Sequence, residues 1–378
     1  MFSTNDARSV ANILAKLFSV GLIASVLALI GCGGGSAMSP TPPPTAKAKF
    51  AYTANQNSGD LSGYAVDPST GVLTPLAGFP VASGVNPVSV IHDPANRFAI
   101  VADIAVNLIT VYGINQSTGM LTEVQPSPYL VGQEPRSLAI DPSGKFVYVA
   151  SQALNNVTAF SMNASGVLTP VPGSPFPTGG TGSSFGCCVL VYPTGKFLYV
   201  EDLNNVYAFS IDPSTGALTL LTTISGPSQG GGLALDPAGT FLYAVGSGSN
   251  SVSTFAINSA TGVITPSTPS PLVLQDGAYT ISIDPSGKFA YTVEQGQTLV
   301  AYSLHNGIFT SLDNTYSGAL GSLQLVIDPS GSFVYAPQTG TENDVSGFRI
   351  NPSGTLSTLL GSPTPSGQAP LSITITSQ

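Results

Sequence analysis

The sequence predicts an all-β fold, a seven-bladed β-propeller in which each blade has four antiparallel strands. Three observations predict it. One short segment recurs seven times along the chain, and each repeat unit that contains it has four strand signatures separated by turns. No 3.6-residue apolar period follows residue 48. Repeats of about 40–50 residues with four short strands each are typical of propeller blades.

The recurring segment is a strand in which Phe follows Lys, Arg, Thr or Ser. Its copies start 48, 48, 51, 44, 48 and 44 residues apart. The seven copies are Lys49–Ala54, Arg97–Ala102, Lys145–Ala150, Lys196–Glu201, Thr240–Val245, Lys288–Val293 and Ser332–Pro337. A fixed period in this range indicates a propeller, a solenoid or an array.

The unit from Glu134 to Val171 shows the four strands clearly. Pro135–Ile140 is a short apolar run, and Asp141–Lys145 reads DPSGK, a turn in which Asp bonds its own backbone and Gly accepts a positive φ. Phe146–Ala150 is β-branched and aromatic, Asn155–Met162 alternates in polarity, and the fourth strand follows another turn. The aspartates that precede Pro in the other units have the same turn context, which explains them without a functional role.

The two ends of the repeat array predict how the ring closes. The array begins with a second-strand segment at Lys49 and ends with Ala369–Thr376, which matches a first strand and has no second strand after it. We therefore expect the C-terminal segment to become the first strand of the N-terminal blade. This closure removes an exposed sheet edge.

The first 48 residues predict a targeting segment and a tether. Arg8 and Lys16 precede an apolar run from Leu17 to Ile30, which is short for a spanning helix. The run ends in Leu-Ile-Gly-Cys32, which resembles the lipobox of bacterial lipoproteins. The resemblance implies a signal peptide over 1–31, lipidation of Cys32, a Gly- and Pro-rich tether over 32–48 and a propeller over 49–378. An uncleaved membrane anchor and an ordinary signal peptide are the alternatives.

The composition argues against nucleic acid as a partner. Charged residues are only 8% of the chain, and the net charge is −9. Binding to nucleic acid is not expected, because phosphate backbones are bound by clusters of Lys and Arg. We expect a monomer attached to the bacterial cell envelope through the lipid at Cys32, on the periplasmic or extracellular side.

The repeats resemble a known family of propellers. Segments such as PRSLAIDPSGKFVYVAS and GGLALDPAGTFLYAVGSGSNSVSTF are similar to the lactonase-type seven-bladed propellers, which include 6-phosphogluconolactonase and are close to YVTN-repeat surface proteins. Enzymes of this family place His, Arg and Glu at the channel mouth. The segment YVEDL, Tyr199–Leu203, resembles their YVxNEL stretch, so the resemblance implies the Glu role for Glu201 or Asp202. Gly246–Ser251 stands where they carry Arg and His.

Several acids are candidates for a site at the channel mouth, because the loops around the mouth of a rigid scaffold commonly carry function. Asp60, Asp103, Glu201, Asp202, Glu294, Glu342 and Asp344 fall between the second and third strands of their blades, and Glu134 and Asp276 precede first strands. We predict a catalytic role for Glu201 and Glu294. We predict a ligand-binding role for Asp103, Glu134, Asp202 and Asp276. Solubilising surface charge is the alternative for all of them.

Arg136 and the Cys187-Cys188 pair open first strands and are therefore expected near the axis. Arg136 is the third catalytic candidate, since a guanidinium can clamp a carboxylate or phosphate, and a salt bridge to a neighbouring acid is its alternative. Cys187 and Cys188 form either a strained vicinal disulfide or two buried thiols. His92 and His305 form neither a zinc set nor a catalytic triad, and no metal or cofactor is expected.

The sequence supports three functions, and whether the chain is an enzyme is left open. The first is a lipoprotein whose propeller binds a small molecule, such as a lactone or sugar, or a protein through its loop face. The second is a lactone hydrolase of the 6-phosphogluconolactonase type, and the third is a structural or adhesive surface protein.

Overall fold

Each copy of the recurring segment forms the second strand of an antiparallel sheet, and the sheets are the blades of a seven-bladed β-propeller. The computed structural model describes residues 47–180, 188–274, 276–295, 298–317, 324–339 and 342–378, and these contain seven sheets and no helix. The predicted fold class is confirmed. Within the described part of the chain there is no helix long and apolar enough to span a membrane.

The first three blades follow one another from the N-terminal end of the described chain. Blade 1 contains β1 (Ala48–Asn55), β2 (Asp60–Val66), β3 (Leu73–Pro75), β4 (Val81–Ala82) and the C-terminal β33 (Pro370–Ser377). Blade 2 contains β5 (Pro87–His92), β6 (Phe98–Asp103), β7 (Leu108–Ile114), β8 (Leu121–Glu123) and β9 (Tyr129–Leu130). Blade 3 contains β10 (Pro135–Ile140), β11 (Phe146–Ser151), β12 (Asn156–Met162), β13 (Leu168–Pro170) and β14 (Phe176–Pro177).

The remaining four blades repeat this order, with two variations in the outermost strand. Blade 4 contains β15 (Cys188–Val191), β16 (Phe197–Glu201), β17 (Asn205–Ile211) and β18 (Leu218–Ser225). Blade 5 contains β19 (Gly230–Leu235), β20 (Phe241–Gly246), β21 (Ser251–Ile257), β22 (Ile264–Pro266) and β23 (Leu272–Val273). Blade 6 contains β24 (Ala278–Ile283), β25 (Phe289–Glu294), β26 (Thr298–His305) and β27 (Ile308–Ser317). Blade 7 contains β28 (Val326–Ile327), β29 (Phe333–Gln338), β30 (Asp344–Ile350), β31 (Leu356–Thr358) and β32 (Thr364–Pro365).

The ring closes as the sequence predicted. β33 pairs antiparallel with β1, with Tyr52 opposite Thr374 and Ala51 opposite Ile375. The hydroxyl of Thr376 accepts a hydrogen bond of 3.1 Å from the backbone N–H of Phe50. The last strand of the chain is therefore the innermost strand of the first blade.

The hydrophobic core lies between neighbouring blades rather than within one blade. One cluster joins Tyr148 and Val157 of blade 3 to Leu198 and Phe209 of blade 4, and the other six clusters join neighbouring pairs in the same way. Alternate side chains of a strand point to opposite faces of its sheet, so each blade contributes to the core on both sides.

Tyrosines of the second strands join five of the seven blades to the next blade in the ring. The hydroxyl of Tyr148 donates to the carbonyl of Gly216 in the outer turn of blade 4, at 3.1 Å. Tyr335 makes the equivalent bond to Gly71 at 2.6 Å and so joins blade 7 to blade 1. The same contact recurs between Tyr52 and Gly119, Tyr199 and Gly262, and Tyr291 and Gly354.

The aspartates before Pro have the turn role that the sequence predicts. The Oδ1 atom of Asp141 accepts hydrogen bonds of 2.7 Å from the backbone N–H groups of Lys145 and Phe146. Asp284 and Asp328 make the same pair of bonds in their own turns. These turns lie at one end of the blades, which we call the turn face, and the connections between second and third strands lie at the other end, which we call the loop face.

Candidate functional site

The site is a cavity on the axis of the propeller, lined by the first strands of blades 1 to 6 and by Gln324 and Leu325, which precede the first strand of blade 7. Its volume is about 320 Å³. It reaches the loop face at Ser247, which lies in the connection between β20 and β21. The lining residues are Val88, Ser89, Arg136, Ser137, Leu138, Cys188, Val189, Leu190, Gly230, Gly231, Gly232, Leu233, Ser247, Tyr279, Thr280, Ile281, Ser282, Gln324, Leu325, Leu371 and Ser372.

Polar side chains form one level of the cavity wall. One position of this level is that of Ser137 in blade 3, two residues after Pro135. In chain order from blade 1, the equivalent residues are Ser372, Ser89, Ser137, Cys188, Gly232, Thr280 and Gln324. We call this set the axial ring. The next residue of each strand toward the turn face is apolar, as in Val90 and Leu138. Apolar residues also precede the ring, as in Val88 and Leu371, so the axial ring is a mostly polar level between apolar ones.

Members of the axial ring bond from blade to blade. The hydroxyl of Ser372 accepts a hydrogen bond of 2.8 Å from the backbone N–H of Val90. Ser137 accepts one from Val189 at 3.2 Å in the same manner. These bonds hold the first strands of neighbouring blades in register, so the shape of the cavity is fixed by the fold.

Arg136 supplies a positive charge to this cavity. It is the second residue of β10 and is partly buried. No other described lining residue carries a charge at neutral pH, because the remaining side chains are hydroxyls, an amide, a thiol and apolar groups. The low effective dielectric of a narrow cavity strengthens the attraction between this guanidinium and an anion.

Glu201 lies behind the wall of the cavity, in a position that is apolar in the other blades. It is the last residue of β16, and its equivalents are Ala54, Ala102, Ala150, Val245, Val293 and Pro337. The sequence predicts Glu201 between the second and third strands of its blade, but the residue ends the second strand and its side chain is 0% exposed. Its strand partner Cys188 and its neighbour Gly230 both line the cavity.

Glycine at position 230 makes room for this glutamate. A Cβ atom at Gly230 would lie 2.7 Å from the Cδ atom of Glu201, which is closer than real Cβ contacts allow. The equivalent residue in blades 2 and 3 is proline, and in blade 6 it is alanine. A larger residue at position 230 would therefore displace the carboxyl group.

Among the residues that the structure describes, neither oxygen of the Glu201 carboxyl group has a hydrogen-bond partner. Burial raises its pKa well above the usual value, and the neighbouring charge of Asp202 raises it further. An isolated carboxylate in an apolar environment is strongly disfavoured, so burial favours the protonated form of the group. Buried acids of this kind are concentrated at functional sites.

Asp103 and Glu294 are also buried at the ends of second strands, but both are engaged in bonds that hold neighbouring loops. The Oδ2 atom of Asp103 accepts bonds of 2.5 and 3.0 Å from the backbone N–H groups of Val85 and Asn86. Oε2 of Glu294 accepts a bond of 3.4 Å from the backbone N–H of Asp276 in the loop before β24, and Oε1 accepts one of 2.9 Å from the hydroxyl of Tyr302 in β26. Burial nevertheless raises the pKa of Glu294. Neither acid is among the residues that line the cavity.

The other predicted ligand-binding acids lie outside the cavity as well. Asp202 accepts a bond of 2.6 Å from the hydroxyl of Tyr207. Glu134 is exposed with a φ of 55°, and Asp276 is partly buried beside Glu294. Of the three catalytic candidates, the structure puts Arg136 in the wall, Glu201 directly behind it and Glu294 elsewhere on the loop side.

Cys188 is a member of the axial ring rather than a reactive group. Its sulfur accepts a hydrogen bond of 3.4 Å from the backbone N–H of Leu233, as the ring serines do in their blades. Burial is the main cause that raises the pKa of its thiol to about 11, which disfavours the nucleophilic thiolate. Cys187 lies outside the described residues, so the vicinal disulfide stays a prediction.

Three successive glycines allow the first strands of blades 5 and 6 to approach each other closely near the axis. A Cβ atom at Gly231 would lie 2.6 Å from the backbone carbonyl oxygen of Ala278 in blade 6. The first strands of these two blades therefore approach more closely than side chains would permit. This explains the Gly230–Gly232 run as a packing feature near the axis.

Comparison with known proteins identifies the family. The model of the family described as "Lactonase, 7-bladed beta-propeller" matches residues 85–183 and 172–278, together more than half of the chain. The chain belongs to this lactonase family. No curated protein sequence matches the chain significantly.

Solved structures with the same fold include two kinds of named lactonase. A proposed 6-phosphogluconolactonase from Bacteroides uniformis is 17% identical, with a TM-score of 0.76 over 87% of this chain and 100% of that one. The periplasmic gluconolactonase of Pseudomonas aeruginosa is 18% identical, with a TM-score of 0.72 over 87% of this chain and 99% of that one. At these identities, the likeness establishes the fold that the lactonase family shares.

Proposed function

We propose that this lactonase-family chain binds a small hydroxylated anion, a sugar acid or a phosphorylated sugar lactone, in the axial cavity. The observation that carries the proposal is the guanidinium of Arg136 in a wall that otherwise presents neutral groups. A guanidinium binds carboxylate or phosphate in a bidentate manner, and the hydroxyls of Ser89, Ser137 and Thr280 suit the hydroxyls of a sugar. The volume lies at the lower end of the range for ligand pockets, about 300–1,000 Å³, which favours a small ligand.

The solved relatives support the same ligand class. Two of them are named for 6-phosphogluconolactone and gluconolactone, which are lactones of sugar acids. Sugar acids and their phosphates carry the anionic group that Arg136 is suited to bind.

Calorimetric titration with 6-phosphogluconate and gluconate, with neutral glucose for comparison, tests the binding proposal. We expect the two acids to bind in preference to glucose. Arg136→Ala is expected to weaken the binding of the acids about 10- to 100-fold, since hydrogen bonds to charged groups contribute about 1.5–3 kcal/mol. Lys145→Ala is the matched control, because it removes a positive charge from an exposed side chain on the turn face.

Two results would contradict this proposal. One is binding of the acids that survives Arg136→Ala unchanged. The other is an absence of binding by either acid, in which case the structural or adhesive alternative becomes the leading function.

Lactone hydrolysis is the second candidate function, and the family membership and Glu201 favour it. Opening a lactone requires an activated water and stabilisation of the developing oxyanion. Arg136 supplies a positive charge in the wall, and Glu201 behind the wall is a carboxyl group whose pKa is raised by burial, as is common for acids and bases at functional sites. The described lining residues include no histidine, so we expect hydrolysis to be slow.

Hydrolysis of 6-phosphogluconolactone and simpler lactones tests this second candidate. We expect a kcat/KM below about 10⁴ M⁻¹s⁻¹, the lower end of the usual range for enzymes. Arg136→Ala and Glu201→Gln should reduce whatever activity is present. Turnover above that value, lost in either variant, would make hydrolysis the main function.

We further propose that the propeller is displayed on the cell envelope by a lipid on Cys32. The lipobox-like sequence that ends at Cys32 and the Gly- and Pro-rich tether after it support this proposal. Cys32→Ser is expected to release the protein from the membrane fraction or to leave an unprocessed precursor. Mass spectrometry of the mature N-terminus checks it, and an unmodified N-terminal residue other than Cys32 would refute lipidation.

A further inference from the structure

The outer edge of blade 4 differs from that of most other blades. β18 is one continuous strand of eight residues that pairs only with β17 among the described residues. In blades 1, 2, 3, 5 and 7 the outer segment is instead divided into a three-residue and a two-residue strand. A continuous edge presents a longer row of unpaired backbone N–H and C=O groups.

The sequence explains this difference through proline. The outer segments of the five divided blades all contain Pro, in Leu73–Ala82, Leu121–Leu130, Leu168–Pro177, Ile264–Val273 and Leu356–Pro365. Proline lacks the N–H that a ladder requires, and natural sheets use it to block edge pairing. Leu218–Ser225 reads LTLLTTIS and contains no Pro.

Charge, the other common protection of sheet edges, is also missing from β18. The chain carries no Asp, Glu, Lys or Arg from Pro213 to Leu235. Leu220 and Leu221 are 45% and 38% exposed on this edge. The ladders of both continuous edges, β18 and β27, contain one register irregularity. They differ in charge, because β27 contains the exposed Asp313 and β18 contains no charged residue.

The properties of the edge restrict what can pair with it. Its side chains are β-branched, hydroxylated or aliphatic, so they suit another uncharged extended strand. The tether Gly33–Thr45 is unsuited because it is rich in Gly and Pro, which strands disfavour. The chain as a whole carries a net charge of −9, so a second copy meets least repulsion where both surfaces lack charge.

We propose that β18 pairs antiparallel with β18 of a second copy, and that the two blade-4 sheets become one continuous sheet across a two-fold axis. Antiparallel pairing of identical strands is self-complementary, as a two-fold interface requires. It covers Leu220 and Leu221 of both copies and satisfies the backbone groups of both edges. The proposal replaces the sequence-based expectation of a monomer and is independent of any ligand in the axial cavity.

Sedimentation velocity of the full chain in density-matched detergent, from micromolar to near-millimolar concentration, tests the proposal. We expect a concentration-dependent dimer. Thr219→Lys and Thr223→Lys each place like charges at the two-fold interface and should raise the dimer dissociation constant at least about fivefold. Thr169→Lys is the matched control, because Thr169 has the register position of Thr219 on the short β13 of blade 3.

Three results would overturn the proposal. One is a monomer at every concentration, and another is a dimer that persists unchanged in both β18 variants. The third is equal weakening by Thr169→Lys, which would show a general effect of charge rather than pairing at β18. Unchanged thermal unfolding of the three variants would establish that each of them is folded.

Discussion

Deleting Leu371–Gln378 is expected to unfold the propeller or to drive it to aggregate. The deletion removes nearly all of β33, in which Leu371, Ile373 and Ile375 are 7%, 2% and 3% exposed. Burial of such side chains contributes about 1.5–3 kcal/mol each, and the sum approaches the whole stability of a typical domain, about 5–15 kcal/mol. The deletion also exposes the inner edge of β1 as a template for aggregation.

Thermal unfolding and size-exclusion chromatography check this prediction. Deletion of Gln378 alone is the control, because this exposed residue contributes only a backbone hydrogen bond to Lys47. Ile373→Ala is a milder variant that should fold and lose about 2–5 kcal/mol of stability. A soluble deletion variant with an unchanged melting temperature would show that β33 does not close the ring.

Glu201→Gln is expected to stabilise the protein, by an amount that grows as the pH rises. The folded-state pKa of Glu201 is raised, so the folded protein keeps a proton that the unfolded chain releases above its ordinary pKa near 4.5. The stability of the wild type therefore falls with pH between the unfolded and folded pKa values, by about 1.4 kcal/mol for each pH unit. Glutamine has the same shape and does not titrate, so it removes this loss.

Urea denaturation of the wild type and the variant across pH 4 to pH 8 measures the effect. The two proteins should have similar stabilities near pH 4, where Glu201 is protonated in both the folded and the unfolded state. Glu123→Gln is the control, since Glu123 is exposed on β8. Parallel stability curves for wild type and Glu201→Gln would mean that Glu201 is ionised in the folded protein, contrary to its buried position.

The sequence predicted the fold because the repeat carries its own turn chemistry. Asp141 and its equivalents bond the backbone within a few residues, so local sequence is sufficient to place these turns. The match between Ala369–Thr376 and the first strands was sufficient to predict the closure through β33. These features depend on contacts that every blade repeats, and a repeat makes them visible in one sequence.

The position of Glu201 was not predicted, because an acid at the end of a strand is usually exposed. The sequence does contain a signal of this burial. Glu201 is at the sixth position of the recurring segment, which is Ala, Val or Pro in the other six copies. Aligned by that position, Asp202 rather than Glu201 corresponds to Asp103 and Glu294. The burial of Glu201 also depends on Gly230 in the next blade, a contact between residues far apart in the repeat pattern.

The axial ring was missed for a similar reason. Single residues such as Ser89, Ser137 and Gln324 are unremarkable within their own blades, and only the closed ring brings them around one cavity. The sequence did predict two residues of the cavity wall near the axis. These are the ring member Cys188 and, next to the ring, Arg136, which is the one basic residue at the start of a first strand. The continuous β18 edge reflects the lack of Pro in Leu218–Ser225, which differs from the outer segments of five other blades.

A crystal structure of the complex with 6-phosphogluconate tests the proposed function most directly. The ligand is predicted to occupy the axial cavity, with its phosphate or carboxylate within hydrogen-bond distance of the Arg136 guanidinium and its hydroxyls near Ser89, Ser137 or Thr280. A ligand bound on the outer surface of the blades, or in the cavity without contact to Arg136, would contradict the account.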